Sequence, residues 1–598
     1  MSDPIPTVQD TDVVLIIPPM AKACEPLLGV ATLKSFLEHK GVSCACIDAN
    51  VEAQHWLLQA ERIDAAVEAI LANPQAPAPL RKRARSWPSL RPGLESLKDA
   101  LRAKRTYTDE SRYRTTVTGL NRAMALGAAG HDAQDGCPIT LTLSNYEDAR
   151  FCDMASASVL LAAQDPARNA FYGYFKDVLL PRVVALRPKV VGLSFIFRSQ
   201  LLCGAVLAGM IKQALPETHV TLGGELVSAW VEDMGQTRLP HLADSIIPYE
   251  GELGLLGLVE ALRQGGGDEA FEAVPNIIWE DAAGTLRKNA TQKLHDLGLL
   301  PPPDYSWAPW DLYFAPERTA PMVTARGCYW NRCTFCPEVI NPETLLRLAR
   351  VDRLVQDMDT LHERWGITHF HFIDSALPPR TLKGVARYIA EHNKPYTWYG
   401  FSRLERALEK PGAAELLARG GCRMLKLGLE TGSQRLLDLM DKKQDLGSVS
   451  AILNALRDAG IMVHAFLMFG TPFETHKDAE LTRQFVAQHH SAIQFINCSL
   501  MNLAHGSPMA VEPEKHGINK VTPFEVEGHK LDLALYSNFE GEGWGRVEAR
   551  RFLHKRFLRD PLVRPLHLRT PTVFDSNHSA FFHPMVFGAR RTPRAAAQ

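Results

Sequence analysis

Arg326-Gly327-Cys328-Tyr329-Trp330-Asn331-Arg332-Cys333-Thr334-Phe335-Cys336-Pro337 gathers three cysteines into one short run. Thiolates this close together in a reduced protein suit a soft metal. An iron–sulfur cube normally takes four thiolates. Cys328, Cys333 and Cys336 would hold three irons and leave one open to a ligand that is not protein. Two blander readings stand beside this one. The run also fits a zinc centre completed by a fourth ligand from elsewhere, or three unrelated core cysteines. Asn331 and Arg332 mark the run as loop.

Downstream, short apolar strands alternate with helix-like stretches. Thr368–Ile373 ends at Asp374, Tyr396–Phe401 ends at Ser402-Arg403, and Met424–Leu429 ends at Glu430-Thr431-Gly432-Ser433. Met462–Phe469 ends at Gly470-Thr471-Pro472, and Gln494–Leu500 ends at Asn502. With a strand at Met322-Val323-Thr324 these make six, which predicts a partial (β/α)6 barrel with polar groups at the strand C-termini. Alternation puts Lys426, Gly428 and Glu430 on one face.

Upstream, Val13–Ile17, Val42–Ile47, Val190–Phe195, His219–Leu222 and Ser245–Pro248 read as strands. Helices are predicted over Leu28–Lys40 and about Gln200–Ala214, and from Tyr249–Glu252 onward. The pattern is that of an α/β, doubly wound parallel sheet, whose ligand sits beyond the strand C-termini. Gly192, Gly223, Gly224 and Gly251 fall near those ends. Residues 50–180 interrupt the sheet as a helical insertion packing over the sheet or the site, with a weak loop at Gly127–Cys137. The expected domains are 1–265, a linker at 266–315 with a small hairpin near Asn276–Arg287, the barrel at 316–515, and an α-rich segment at 516–598. Asp575–Pro584 in that last segment reads as a lid, a substrate pocket or a packed tail.

Composition sets outer limits. A chain of 598 residues needs several cores. A net charge of −1 offers no basic field, so no nucleic-acid or membrane partner is expected. Met1-Ser2-Asp3-Pro4 lacks the charged and apolar regions of a signal peptide, and no apolar stretch is long enough to span a bilayer. The 11 cysteines are an odd number and do not resemble a disulfide framework, so a reducing cytoplasm is expected, and an open cluster edge would make the protein oxygen-sensitive.

These motifs together resemble the radical S-adenosylmethionine enzymes. The cysteine run, Gly428-Leu429-Glu430-Thr431-Gly432-Ser433-Gln434-Arg435 and Gly470-Thr471-Pro472-Phe473-Glu474-Thr475 match that family's cluster loop and its fourth- and fifth-strand signatures. The N-terminal half is similar to the cobalamin-binding subgroup. Pro18-Pro19, Pro26–Leu33, Val191–Ser194, Gly223-Gly224 and Glu250-Gly251-Glu252 follow that subgroup's order. The cysteine spacing departs from the commonest one, with four residues between Cys328 and Cys333. No Asp-x-His-x-x-Gly run is present to supply a histidine to cobalt.

The resemblance implies three cofactors: a [4Fe-4S] cluster, S-adenosylmethionine and cobalamin. It assigns Glu430, Arg403, Ser402, Gly470 and Pro472 to S-adenosylmethionine, and Ser194, Gly223, Gly224, Glu250 and Gly251 to cobalamin. Glu430 and Arg403 also fit an ordinary ion pair. His369, His371 and His464 lie on strands as core residues or proton carriers. Tyr329 and Trp330 either cover the cluster or simply pack. The implied activity is methylation of an unactivated carbon in a small-molecule or peptide substrate, with a flavodoxin or ferredoxin as electron donor. Rearrangement, cyclisation or epimerisation, polar methyl transfer, and a non-catalytic cobalamin or zinc protein are the alternatives. Methylthio transfer is disfavoured because the remaining cysteines form no second compact cluster.

Overall fold

The computed structural model describes residues 11–130, 137–339 and 346–588. The amino-terminal residues examined for targeting and the centre of the Gly127–Cys137 loop lie outside this set.

The N-terminal sheet has seven strands. In order across the sheet these are Cys44–Ile47, Val13–Ile16, Val190–Ser194, His219–Gly223, Ser245–Ile247, Ile278–Glu280 and Leu286–Lys288. The first five run parallel and the last two return as an antiparallel hairpin. Val13–Ile16 is buried along its whole length. A continuous apolar strand of this kind needs cover on both faces, as crossover helices provide. The chain adds Cys44–Ile47 on one side of Val13–Ile16 and Val190–Ser194 on the other. The strand order therefore reverses there, and a crevice opens at the strand C-termini. The hairpin near Asn276–Arg287 extends this sheet, so that stretch is packed structure and not free linker.

The insertion is mainly helical, with its longest helix at Glu110–Ala128. Ser156–Gln164 packs beside the sheet helix Leu201–Ala214. The rest reaches the C-terminal segment. Tyr107 and Tyr113 are buried and bring their hydroxyls to His578 Nδ1 at 3.3 and 2.9 Å, and Arg569 pairs with Glu110 at 2.8 Å.

The second large sheet has six strands, all parallel and in chain order: Thr319–Met322, His369–Phe372, Thr397–Ser402, Cys422–Glu430, Met462–Phe469 and Phe495–Leu500. The C-terminal segment begins with a three-stranded antiparallel sheet (Leu503–Ala504, Tyr536–Gly541, Ile518–Pro523) that no sequence pattern announces, and continues as helices. Asp575–Phe587 closes the barrel from the N-terminal ends of its strands. His583 Nε2 meets Gly460 O at 2.9 Å, just before the fifth strand, and Phe581 packs on His369 at the start of the second. Among the described residues no helix is long and apolar enough to cross a membrane.

Candidate functional site

The cysteine loop follows a short strand, Ala325–Arg326, paired antiparallel with Arg347–Leu348. Gly327 has φ +87°, which lets the chain turn away at once. Three contacts fix the loop to the turn after helix Gln434–Leu439. Trp330 Nε1 donates to Asp441 O (3.0 Å), Thr334 N donates to Met440 O (3.1 Å), and Arg332 pairs with Asp441 at 3.0 Å. The three thiols are half-buried. Burial pushes Cys333 up, opposed by Lys442 and Arg403, and burial pushes Cys336 up to about 12. Cys328 acts electrostatically on both. Among the described residues no three His, Cys, Asp or Glu side chains converge on a single ion. A cube does not ask for such convergence, because its thiolates bind separate irons. Three soft donors on one fixed loop, with two cations nearby to favour thiolate, fit a cluster.

Of the residues assigned to S-adenosylmethionine, Arg403 touches this loop directly and Glu430 pairs with Lys442, whose backbone carbonyl accepts from Arg403. Arg403 lies just past the third barrel strand, its guanidinium 4.0 Å above the Trp330 ring and Nη1 3.8 Å from Cys333 Sγ. Its remaining donors go to Glu405 (2.7 Å) and Lys442 O (2.6 Å). Ser402 is buried, with its hydroxyl 3.2 Å from Arg403 O. Glu430 ends the fourth strand with φ +60° and pairs with Lys442 Nζ at 2.8 Å. Glu430 and Arg403 thus have separate partners and do not form the ion pair that the bland reading expects. A Cβ at Gly428 would stand 3.1 Å from Lys442 Nζ, so the glycine makes room for this pair. Gly470, at φ +74°, and Thr471 both donate backbone N–H groups to Glu474 Oε2. Pro472 and Met440 line a small hollow of about 40 Å³ on the far side of the 440 turn. Lys442 carries no sequence signal, because only the tertiary fold brings it to Glu430 and Cys333.

A larger cleft of about 490 Å³ lies between the two sheets. Ser194, Gly223, Gly224, Glu250 and Gly251 line one wall, and Arg326, Gly327, Asp374 and Ser375 line the other. Leucines and valines supply much of the rest, which suits a broad, largely apolar ligand. Gly224 has φ +101°, and a Cβ there would stand 2.8 Å from Phe195 N. Glu250 is not free to face the cleft alone. Arg326 and Arg347 both hold it, and Arg326 also pairs with Glu252. Burial pushes Glu250 up, but the two guanidiniums overcome this and hold it below the usual carboxylate range.

Asp374 joins the ends of the first two barrel strands, accepting from Thr324 N at 3.0 Å and Thr324 Oγ1 at 2.8 Å. Burial raises its pKa from the usual carboxylate range to about 6, despite those hydrogen bonds. Its folded pKa lies above its unfolded one, so ionisation opposes folding. Its contribution is most favourable below about pH 4 and is lost as pH rises to about 6. Relative to Asp374→Asn, the wild type is expected to lose about 1–2 kcal/mol of stability across that window. Urea unfolding of both proteins at several pH values checks this, and parallel curves would refute it.

Residues 322–486 match the Radical SAM superfamily model. An uncharacterized methyltransferase of Pyrococcus horikoshii is 24% identical over 302 residues, covering 50% of this chain and 64% of the relative. The cytidylyl-2-hydroxyethylphosphonate methyltransferase of Streptomyces wedmorensis is also 24% identical, covering 50% of this chain and 61% of its own length. The chain therefore spans somewhat under two thirds of the length of these relatives. Among solved structures, the cobalamin-dependent S-adenosylmethionine radical enzyme OxsB, with aqua-cobalamin and S-adenosylmethionine bound, superposes with a TM-score of 0.54 at 14% identity, covering 91% of this chain and 65% of that one. The radical S-adenosylmethionine methyltransferase TsrM of Kitasatospora setae, with tryptophan substrate and a S-adenosylmethionine analogue bound, gives 0.51 at 14% identity, covering 86% and 79%. At these identities the likeness is one of fold.

Proposed function

We propose that this chain, which carries a radical SAM domain, is a cobalamin-dependent methyltransferase acting on an unactivated carbon of a small-molecule or peptide substrate. One observation carries the reading: the cleft at the C-terminal edge of the N-terminal sheet is walled on its other side by Arg326 and Gly327, immediately before Cys328. A corrin-sized ligand there and a cluster on the cysteines would face a common space. When bound, a [4Fe-4S] cluster with S-adenosylmethionine supplies a 5′-deoxyadenosyl radical, and cobalamin supplies a transferable methyl group.

The chain's own part is to hold and to exclude. Cys328, Cys333 and Cys336 hold the cluster. Arg403 offers a cation beside Cys333, and the Glu430–Lys442 pair offers both charges at the barrel mouth, a match for an aminocarboxylate. The apolar cleft walls keep water from a reactive carbon radical. A flavodoxin or ferredoxin is the expected reductant, and the cytoplasm the expected compartment.

Anaerobic incubation of reconstituted protein with reductant, S-adenosylmethionine and methylcobalamin tests the reading. Both 5′-deoxyadenosine and S-adenosylhomocysteine are expected by mass spectrometry. S-adenosylhomocysteine alone would replace radical with polar methyl transfer. Failure to bind iron would overturn the cluster assignment. Trp330→Leu removes the shelf under Arg403. A cation–π contact of about 1 kcal/mol or more predicts a drop of roughly fivefold or more in 5′-deoxyadenosine. The cluster's visible absorbance should also bleach faster in air, and an unchanged yield and bleaching rate would make Trp330 mere packing.

A further inference from the structure

Each of the three guanidinium nitrogens of Arg403 has its own partner. Nε donates to Glu405 Oε1 at 2.7 Å, Nη2 to the Lys442 carbonyl at 2.6 Å, and Nη1 to Cys333 Sγ at 3.8 Å. The Trp330 ring covers one face of the guanidinium at 4.0 Å. Tyr329 Oη donates to the same Glu405 oxygen at 3.1 Å. Tyr329, Trp330 and Cys333 of the cysteine loop thus meet one arginine and its carboxylate. The loop is already fixed to the 440 turn by Trp330, Arg332 and Thr334, so the contact to sulfur adds little to its anchoring.

This arrangement bears on what Arg403 can bind. A guanidinium takes a carboxylate best through two parallel N–H groups on one edge. Arg403 has no edge whose two nitrogens are both uncommitted. The Glu430–Lys442 pair is the better match for the aminocarboxylate of S-adenosylmethionine, which leaves the arginine to the cluster.

We propose that Arg403 serves the cluster and not the S-adenosylmethionine carboxylate: its Nη1–H group bonds to the Cys333 sulfur and makes the cluster easier to reduce, while Glu405 offsets part of its charge. The proposal rests on the reading of Cys328, Cys333 and Cys336 as cluster ligands. On reduction the cluster takes up one electron, and part of the added negative charge falls on the thiolate sulfurs. A cationic N–H donor at a sulfur stabilises that reduced form more than the oxidised one, and hydrogen bonds to the sulfurs help set such potentials. The arginine side chain is 8% exposed and that of Glu405 24%, so water screens the guanidinium poorly and the carboxylate is its main counter-charge. Arg403 is therefore a positioning and tuning residue, and the two members of the pair should act on the potential with opposite sign.

The test is a potentiometric titration of the reconstituted full-length protein, with dithionite as the electron source and the EPR signal of the reduced cluster as the readout. Arg403→Gln should shift the one-electron equilibrium about tenfold toward the oxidised form, a midpoint about 59 mV more negative. Glu405→Gln should move the midpoint the other way, because the guanidinium loses its counter-charge. Arg403→Lys keeps a cation and should fall between wild type and Arg403→Gln. Affinity for S-adenosylmethionine, measured by equilibrium dialysis against the oxidised cluster, should stay within about threefold of wild type in Arg403→Gln. A residue that only braces the loop would move both midpoints in one direction or neither. Midpoints that stay put or move together would overturn the proposal, as would a loss of about tenfold or more in S-adenosylmethionine affinity. Should Arg403→Gln fail to fold, the opposite displacements of Glu405→Gln and Arg403→Lys decide the matter. Wild type that takes up its cluster, with variants whose midpoints do not move, refutes this inference alone. Wild type that takes up no iron refutes the cluster reading, and this inference with it.

Discussion

Cys333→Ala is expected to purify as folded protein with little bound iron and no detectable 5′-deoxyadenosine. Three thiolates are the minimum for a cube with one open iron, and two leave half of its positions to solvent. Loss of a supporting residue around a metal typically costs about 10–100-fold, and loss of a ligand should exceed that. The fold should be spared. Among the described residues the Cys333 thiol makes one long hydrogen bond, from Arg403, and the loop is fixed by Trp330, Arg332 and Thr334 instead. Iron and acid-labile sulfide, measured beside the thermal unfolding midpoint, separate the two effects. A variant that keeps its cluster and still cleaves S-adenosylmethionine would remove the basis of the functional reading.

Gly224→Ala should be the most damaging change in the cleft wall. The residue has φ +101°, where an L side chain is strained, and the new Cβ would stand 2.8 Å from Phe195 N and closer still to its carbonyl oxygen. Backbone cannot swing aside as a side-chain tip can. Phe195 also donates its N–H to Gly223 O (2.8 Å) and accepts from Leu226 N (3.1 Å), so the clash falls on the joint between two parallel strands. Strain and overpacking together predict a loss of about 2–4 kcal/mol. Cobalamin affinity should fall roughly tenfold or more as the wall shifts. Gly29→Ala is the control for stability. Gly29 lines the same cleft, but its Cβ would meet nothing within 4 Å and lies in a helix, where alanine is favoured. Urea midpoints and equilibrium dialysis with cobalamin measure both effects. A Gly224→Ala protein as stable as wild type would refute the account.

The sequence announces features whose cause is local. Apolar runs such as Val13–Ile16, buried throughout, and Met462–Phe469, buried at all but Phe466 and Met468, are legible as strands because burial demands them. The cysteine loop is legible from spacing alone. The first barrel strand is expected at Met322-Val323-Thr324 and lies at Thr319–Met322. Pro321 within it argues against a strand, but this is the edge of the sheet, where a missing N–H is tolerated. The small sheet around Tyr536–Gly541 escapes reading because its two longer strands are largely polar, its third is only Leu503–Ala504, and long connections join them. Lys442 and Glu25 escape for another reason. Lys442 pairs with Glu430 across a turn and Glu25 pairs with the distant His371, and no one-dimensional pattern records either proximity.

The pairing of Arg326 and Arg347 with Glu250 and Glu252 bears on how such a chain can be inherited. The arginines flank the cysteine loop, and the acids sit at the start of helix Gly251–Arg263, which follows strand Ser245–Ile247. All four are largely buried. Breaking a buried pair by removing one partner costs about 3–5 kcal/mol. A recombination event that imported one half of this protein from a distant relative would therefore strand charges at the seam unless both sides of the quartet travelled together. The two halves should therefore behave as a single heritable unit, with natural crossovers avoiding the seam between them.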